Sequence, residues 1–477
     1  MMYNIKRFIM KKMLLLFATA LATINPVLCH SQDLLNDSTS KQLRIAVEGF
    51  RNRYHSPSIV VVIVHDKKII FNQSLGYIDL ENRIPATIDS KYPILSVTKP
   101  FTATMFMQLM QRNVVSLDDD VYKYVPEFKG NSDFPGKSGT TLLQLATHTS
   151  GLPRNSQADI NFTKQVDRWL LIGTNFPTIE AATKKEFLRS LKFIKKEYPE
   201  YQLLSQGDRH YSNLGYSLLG IALERAAKVD YTDYVINNIC KPLKMNNSGF
   251  GTESFGNNIL AKGYYYDDSI KDFIKTPVFK SNSALYAGGM YSTATDLAKF
   301  ISFQFENNSV DANKVLSEKN RAMMQAFKIS WKPSYPFVLH EGAMLGYRCE
   351  IAFNPEIKIG WVILTNTTNF DFSRLNDYIS RLILPIYNKK SISDLKKYTG
   401  TYQLAGGYDS LKIYLKNDSL YSTYLQDMLF ESPLIPSGNN SFKGQGKGSY
   451  NIGYEFISNG KSEINVLNMG QLMWVKE

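Results

Sequence analysis

The sequence predicts an α+β fold in which helices flank an antiparallel sheet, followed by a small C-terminal all-β domain. Three observations predict it. Strand-like runs stand near the beginning of the chain, segments with helical periodicity fill the middle, and strand-like runs return after about residue 336. The first and last sets of strands are therefore expected to share one antiparallel sheet, with the helices packed around it.

The predicted elements follow the chain in order. Residues 58–64 form a nearly continuous β-branched run, and a second run ends at Phe71 after a polar break, so together they predict a hairpin. Apolar residues at steps of three and four predict helices over 102–112, 184–195, 217–227 and Ala294–Phe305. Later strands are predicted over 336–340, 348–354 and 358–366, with a turn at Asn354-Pro355-Glu356 between the last two.

A polar stretch over 388–397 separates this body from the tail of the chain. Within the tail, polar and apolar residues alternate over Ser410–Lys416 and 419–425, as they do in half-buried strands. We therefore expect residues 32–387 to form the main domain and residues 396–477 to form a β-rich accessory domain.

Residues 1–31 have the composition of a signal peptide. Basic residues are followed by an apolar run over 13–22, which is too short to span a bilayer and therefore disfavours a membrane-anchoring helix. A cleavage site at Cys29-His30-Ser31 would leave Gln32 at the mature N-terminus. Leu28 stands where lipoprotein signals have a small residue, so lipid anchoring at Cys29 is not expected. The predicted location is periplasmic or extracellular, with no stable membrane span after processing.

Charge and cysteine content exclude several classes of protein. The formal net charge is +12 and four of the positive charges lie in the leader; no Lys/Arg block or zinc-finger spacing is present, so nucleic-acid binding is not supported. Without the leader cysteine, Cys240 and Cys349 remain, which make no disulfide framework and have no metal-ligand partner at useful spacing. Each is expected to be a small buried apolar residue.

The first segment that can carry chemistry is Ser96-Val97-Thr98-Lys99. Three residues of spacing on a helix place Ser96 and Lys99 on one face, and Pro100 requires that the helix begin at about residue 96 or 97. Ser96 would then lie at the positive end of the helix dipole. A serine hydroxyl needs a base, and a lysine serves if burial lowers its pKa. An N-capping serine followed by an exposed lysine would show the same pattern. This match alone therefore does not distinguish a catalytic pair from a structural one.

Two further segments supply complementary groups. In Tyr211-Ser212-Asn213, the tyrosine can relay protons and the amide can position a substrate carbonyl. In His340-Glu341-Gly342, expected to end a strand, the glycine would let a substrate backbone lie close to the strand edge. Glu341 would point to the opposite face and is given no role. His148 is expected to be a structural hydrogen-bonding residue outside these motifs.

In this order, the three segments resemble the motifs of the serine β-lactamase and penicillin-binding protein superfamily. The Tyr-x-Asn form is typical of the branch that holds class C β-lactamases, D-alanyl-D-alanine carboxypeptidases, D-aminopeptidases and related esterases. The resemblance covers roughly residues 40–385 and includes three flanking segments, Leu117-Asp-Asp-Asp-Val121, Thr147-His-Thr-Ser-Gly-Leu-Pro153 and Ala287-Gly-Gly-Met-Tyr-Ser-Thr-Ala-Thr-Asp-Leu297. It implies a β-lactamase/transpeptidase-like fold and a secreted serine hydrolase that needs no cofactor or metal.

The resemblance also implies roles for individual residues. Ser96 would attack the carbonyl, Lys99 and Tyr211 would share the acid and base work, and Asn213 would orient the substrate. The order in which Lys99 and Tyr211 hold the proton stays open. The backbone N–H groups of Ser96 and Ala343 would form the oxyanion hole.

The third motif departs from the pattern of the family, because His340 stands where the lysine of Lys-Thr-Gly is usual. Together with Gly342, it would contact the substrate. A histidine, whose charge is expected to change near neutral pH, holds an anionic carboxylate less well than a lysine does, which puts β-lactamase activity proper in doubt.

The expected reaction is acylation of Ser96 and hydrolysis of an ester, a D-amino-acid amide or peptide, or a β-lactam. The partner would be a small molecule or a peptidoglycan-type peptide. The alternative is a penicillin-binding or sensor protein that is acylated but turns over slowly. A catalytically dead scaffold is disfavoured because Ser96, Lys99 and Tyr211 are all retained. The oligomeric state and the role of the C-terminal domain stay open.

Overall fold

The computed structural model describes residues 35–476 except 129–139, 173–177, 196–209, 252–259, 306–308, 335, 389–391, 406–407, 425–426, 439, 445–452, 459–463 and 470–471. The predicted leader, with Cys29 and Gln32, lies outside the described residues. Within the described ranges, no helix has the length and apolar character that crossing a membrane requires.

Helices and strands alternate along the body, and strands alone form most of the tail. The helices are α1 (Asp37–Arg53), α2 (Lys99–Gln111), α3 (Leu142–Thr147), α4 (Ile160–Ile172), α5 (Lys184–Ser190), α6 (Asn213–Ala227), α7 (Tyr231–Val235), α8 (Leu285–Gly288), α9 (Ala294–Phe305), α10 (Val310–Val315), α11 (Glu318–Ala326), α12 (Phe372–Tyr387) and α13 (Ile392–Lys396). The strands of the body are β1 (Ser58–His65), β2 (Lys68–Asp79), β3 (Ile84–Pro85), β4 (Tyr92–Pro93), β5 (Thr178–Glu180), β6 (Gly249–Phe250), β7 (Tyr264–Asp267), β8 (Asp272–Lys275), β9 (Val278–Lys280), β10 (Met290–Ser292), β11 (Lys332–Ser334), β12 (Phe337–Met344), β13 (Tyr347–Asn354) and β14 (Ile359–Thr365). The strands of the tail are β15 (Gly400–Leu404), β16 (Ser410–Lys416), β17 (Ser419–Tyr424), β18 (Asp427–Gly438), β19 (Ser441–Gly444), β20 (Gly453–Ser458), β21 (Ile464–Met469) and β22 (Leu472–Lys476).

The main sheet joins strands from both ends of the body in the order β11-β12-β13-β14-β1-β2-β3. Strand β1 lies between β2 and β14 and is antiparallel to both. Its side chains alternate between two buried layers: Val60 and Val62 pack against the central helices, and Ile59 and Val61 pack against α1 and α12. Burial on both faces explains the unbroken β-branched run in the sequence, and the predicted antiparallel sheet flanked by helices is confirmed.

Some boundaries differ from the predictions for local reasons. The helix predicted over 184–195 ends at Ser190 and continues only as a 3-10 turn. Helix α6 begins four residues before its predicted start, because the Ser212 hydroxyl accepts a hydrogen bond from the Gly215 N–H at 2.8 Å and caps the helix there. Strand β12 continues past His340 to Met344, so the third motif lies within the strand.

The tail forms the predicted all-β unit, in which β15 to β22 close into a barrel. Closure occurs because β15 pairs with both β16 and β22. The barrel contacts the body on the face of the sheet that carries α12: Lys443 Nζ donates to Asp377 Oδ1 at 2.7 Å, and Asn354 Nδ2 donates to the Ser437 carbonyl at 2.7 Å. The division of the chain at residues 387 and 396 stays a prediction.

Candidate active site

Ser96 lies in a 3-10 turn, Leu95–Thr98, that leads directly into α2. Pro100 is the second residue of α2, where its missing N–H costs little, as predicted. The α-helix itself begins at Lys99, slightly later than expected. The residue before the serine, Leu95, is buried and has a left-handed φ of 50°, which is unfavourable for a residue with a side chain. Ser96 itself is partly exposed.

Lys99 is completely buried directly beneath Ser96. Its Nζ lies 3.0 Å from Ser96 Oγ, 2.9 Å from Asn213 Oδ1 and 2.8 Å from the carbonyl oxygen of Ala287. Burial, reinforced by the charge of Arg154, lowers the pKa of Lys99 well below its usual value. A neutral amine has two N–H groups and one lone pair. In the neutral form, the two N–H groups would donate to Asn213 and Ala287, which would leave the lone pair for the Ser96 hydroxyl.

Tyr211 lies close to both Ser96 and Lys99. Its hydroxyl hydrogen-bonds with Ser96, and its ring centre is 4.8 Å from Lys99 Nζ. Burial raises the pKa of Tyr211 to about 12. Near neutral pH, Tyr211 is therefore a phenol that can pass on a proton, whereas the lowered pKa of Lys99 suits it to accept one.

Asn213 begins α6, and its side chain connects Lys99 to the loop that follows α3. Its Nδ2 donates to Asn155 Oδ1 at 2.9 Å, and its backbone N–H donates to the Arg154 carbonyl at 2.8 Å. The sequence motif predicted Asn213 but neither Arg154 nor Asn155. The available signal was their position directly after the flanking segment that ends at Pro153.

His148 contacts the segment Tyr211-Ser212-Asn213. It ends α3 with a φ of 60°, and its Nδ1 accepts a hydrogen bond from the Ser212 N–H at 3.1 Å. Its ring centre lies 4.5 Å from that of Tyr211. The predicted hydrogen-bonding role is confirmed, and the bond made by His148 holds the backbone beside Tyr211.

His340 lies near Tyr211, with its ring centre 6.5 Å from that of Tyr211. Its Nδ1 lies 2.5 Å from the Ser330 carbonyl; since a carbonyl only accepts, Nδ1 carries the proton and Nε2 is an acceptor. Burial, with a smaller effect of Lys99, lowers the pKa of His340 to about 3. The expectation that its charge changes near neutral pH is therefore wrong: His340 is uncharged there because it is desolvated.

Gly342 brings β12 against the segment that carries the nucleophile. A side chain at this position would lie 2.4 Å from the Ile94 carbonyl oxygen and 2.4 Å from Cys349 Sγ. The missing side chain therefore allows β12 to pack closely beside Ser96, and the contact of Gly342 with a substrate backbone stays a prediction. The Cys349 thiol donates to that same carbonyl at 2.9 Å.

The outer edge of β12 is open beside the site. Strand β11 pairs only with Phe337–Leu339, so within the described part of the chain no strand pairs with this edge from His340 onward. Ala343 is exposed there. Glu341 is also exposed while His340 is buried, which agrees with the predicted alternation of faces. Among the described residues, no group of His, Cys, Asp and Glu side chains is arranged to hold a metal ion.

Comparison with known proteins identifies relatives over most of this architecture. A family model described as Beta-lactamase matches residues 43–384. Protein flp of Staphylococcus aureus (strain MRSA252) is 27% identical over 382 residues, which are 78% of this chain and 70% of that protein. The octameric penicillin-binding protein homologue from Pyrococcus abyssi is 25% identical, with a TM-score of 0.60, and the match covers 91% of this chain and 99% of that one. A class C beta lactamase from Rhodobacter sphaeroides has the same fold, with a TM-score of 0.57, 20% identity and coverage of 73% and 99%.

Proposed function

The chain belongs to the beta-lactamase family, and from this premise we propose that it is a serine hydrolase in which Ser96 is acylated and then released by water. The observation that carries the proposal is the set of three contacts made by the buried Lys99 Nζ with Ser96 Oγ, Asn213 Oδ1 and the Ala287 carbonyl. This arrangement holds an amine of lowered pKa against a partly exposed hydroxyl, as nucleophilic catalysis requires.

In the proposed first step, Ser96 Oγ bonds to the substrate carbonyl carbon while its proton passes to Lys99 Nζ. The bond to the leaving group then breaks, and the proton reaches the leaving oxygen or nitrogen through the Tyr211 hydroxyl. Water then attacks the acyl carbon while its proton passes through Tyr211 to Lys99. Lys99 returns a proton to Ser96 Oγ as the acid product leaves. The N–H groups of Ser96 and Ala343 would hold the oxyanion, a contribution of about 10²–10³ in rate for one donor.

For substrates, we propose esters and D-amino-acid amides or peptides ahead of anionic β-lactams. The uncharged His340 offers an acceptor, Nε2, where a lysine would offer a positive charge. The test is kcat/KM for a chromogenic ester, a D-amino-acid amide and a cephalosporin. Turnover of the ester or the amide supports the proposal. A stoichiometric burst of product without further turnover would instead favour the penicillin-binding or sensor role.

Replacing His340 with lysine is expected to improve kcat/KM for a cephalosporin by about fivefold, equivalent to about 1 kcal/mol for a partly exposed ion pair. The ester should gain little, because it has no carboxylate to pair with the new ammonium group. Both substrates are assayed with wild type and His340→Lys, and a thermal melt checks that the variant folds. A wild-type protein that prefers cephalosporins, with a ratio that His340→Lys leaves unchanged, contradicts this account.

We also propose that the protein is exported and free of lipid, from the composition of residues 1–31. The mature chain is expected to begin near Gln32. Intact-mass measurement of the protein purified from an exporting host checks this. A diacylglyceryl group on Cys29 would show instead that the protein is anchored to a membrane.

A further inference from the structure

We propose that Arg154 binds a carboxylate of the substrate and so makes the enzyme selective for acidic esters or amides whose anionic group reaches the loop after α3. The inference rests on the proposed function, since it names the substrate class of the same site. It assigns a specificity role to a residue that belongs to none of the three catalytic motifs.

The position of Arg154 is determined by its backbone. Its carbonyl accepts hydrogen bonds from the N–H groups of Asn213 at 2.8 Å and Leu214 at 3.2 Å, so the loop is attached to the first turn of α6. Its guanidinium carbon lies 5.0 Å from the centre of the Tyr211 ring. Because Tyr211 hydrogen-bonds with Ser96, this places a guanidinium group one side chain away from the nucleophile.

The charge of Arg154 is available to a ligand. The residue is exposed, and no carboxylate of the described residues lies within ion-pair distance of it. A guanidinium has five N–H donors in a planar fork, and stacking on an aromatic ring leaves the edges of that fork free for a carboxylate. Arg154 also acts electrostatically on the buried Lys99, which is consistent with its lying close to the reacting groups.

A cavity borders the loop that carries Arg154. The residues on either side of Arg154, Pro153 and Asn155, line a cavity of about 530 Å³ that Phe193 and Lys195 border on the other side. Asp159 also lines the cavity, and its carboxylate already accepts hydrogen bonds from the Ser156 N–H and hydroxyl. The loop that carries Arg154 therefore borders space in which part of a substrate could lie.

The preference is compatible with poor recognition of β-lactams. A carboxylate positioned for a lysine on β12 meets the uncharged His340, whereas one that points toward the loop after α3 meets Arg154. Tyr211 lies near both groups: its ring centre is 6.5 Å from that of His340 and 5.0 Å from the Arg154 guanidinium carbon. The site therefore selects substrates by the position of their anionic group, and not only by whether they have one.

Two matched pairs of esters test the inference. In the first, the 4-nitrophenyl monoester of glutaric acid carries its carboxylate on the acyl group, and its methyl ester is the neutral partner. In the second, 4-acetoxybenzoic acid carries the carboxylate on the leaving group, and its methyl ester is again neutral. The readout is the ratio of kcat/KM within a pair. It is measured on the alkaline plateau of activity, because loss of Arg154 also changes the protonation of Lys99.

Arg154→Gln should lower the ratio of anionic to neutral substrate by about tenfold in at least one pair, mainly through KM. Arg154→Lys should give a ratio between those of wild type and Arg154→Gln, because lysine keeps the charge but lacks the planar fork of N–H donors. Arg112→Gln is the matched control: it removes another exposed arginine that lies on a tyrosine ring, Tyr234, away from the site, and should leave both ratios unchanged.

The outcomes separate this inference from the proposed function. If hydrolysis depends on Ser96 but Arg154→Gln leaves both ratios within twofold of wild type, the role of Arg154 is wrong and the hydrolase assignment stands. If wild type hydrolyses none of the four esters and Ser96 is not acylated, the proposed function fails and this inference fails with it.

Discussion

Replacing Ser96 with alanine is expected to abolish labelling of the protein by a fluorophosphonate probe and to lower ester hydrolysis by about 10⁴-fold or more. The Ser96 hydroxyl is partly exposed and lies 3.0 Å from a buried amine, so it is the nucleophile that this site presents. The substitution removes only that oxygen, and Lys99 and Tyr211 keep their other contacts. Intact mass after probe treatment and steady-state hydrolysis measure the two effects.

The matched control for this variant is Ser373→Ala. Ser373 is an exposed serine in the first turn of α12, which packs on the other face of the sheet, and it should be dispensable for labelling and turnover. Labelling that persists in Ser96→Ala would show that the reactive residue lies elsewhere. Equal hydrolysis by Ser96→Ala and wild type would remove the basis of the acyl-enzyme mechanism.

Replacing Lys99 with alanine or methionine is expected to lower kcat by about 10²–10⁴, the usual contribution of a general base. Lys99→Met keeps the length of the side chain and so separates the loss of the amine from the loss of packing. Neither variant should unfold, because a buried amine with few charged neighbours is costly to the folded state at neutral pH. Thermal melts compare the variants with wild type, and Lys123→Met, which removes an exposed lysine, is the control.

The pH profile gives a second readout for Lys99. The base must be uncharged, so wild-type kcat/KM should rise with pH through the lowered pKa of Lys99, and this acid limb should disappear in Lys99→Met. The stability of the folded state should change with pH in the same direction. Because folding lowers the pKa of Lys99, its contribution to stability is fully present above the unfolded pKa and is lost as pH falls through the folded pKa. Near-wild-type turnover by Lys99→Met would mean that the serine and lysine spacing is accidental.

Local spacing explains how much of the fold and site could be predicted from sequence. The β-branched run of β1 and the alternation of β16 predict strands because side chains in a strand point to opposite faces. Ser96 and Lys99 were placed together because three residues span one helical turn. Tyr211 and Asn213 were identified by their motif, and the structure brings both to Lys99. These relations lie within a few residues of the chain, and the antiparallel sheet flanked by helices follows from them.

Only the tertiary structure decided which groups are charged and which spaces are filled. His340 is uncharged because residues remote in sequence remove it from water, and nothing in its own segment predicts that. The space beside Gly342 is taken by Ile94, which lies nearly 250 residues earlier in the chain. Arg154 reaches Tyr211 because its loop is bound to α6. Desolvation, close packing and charge all depend on atoms that the fold brings together, whereas sequence spacing determines only which groups share a turn or a strand face.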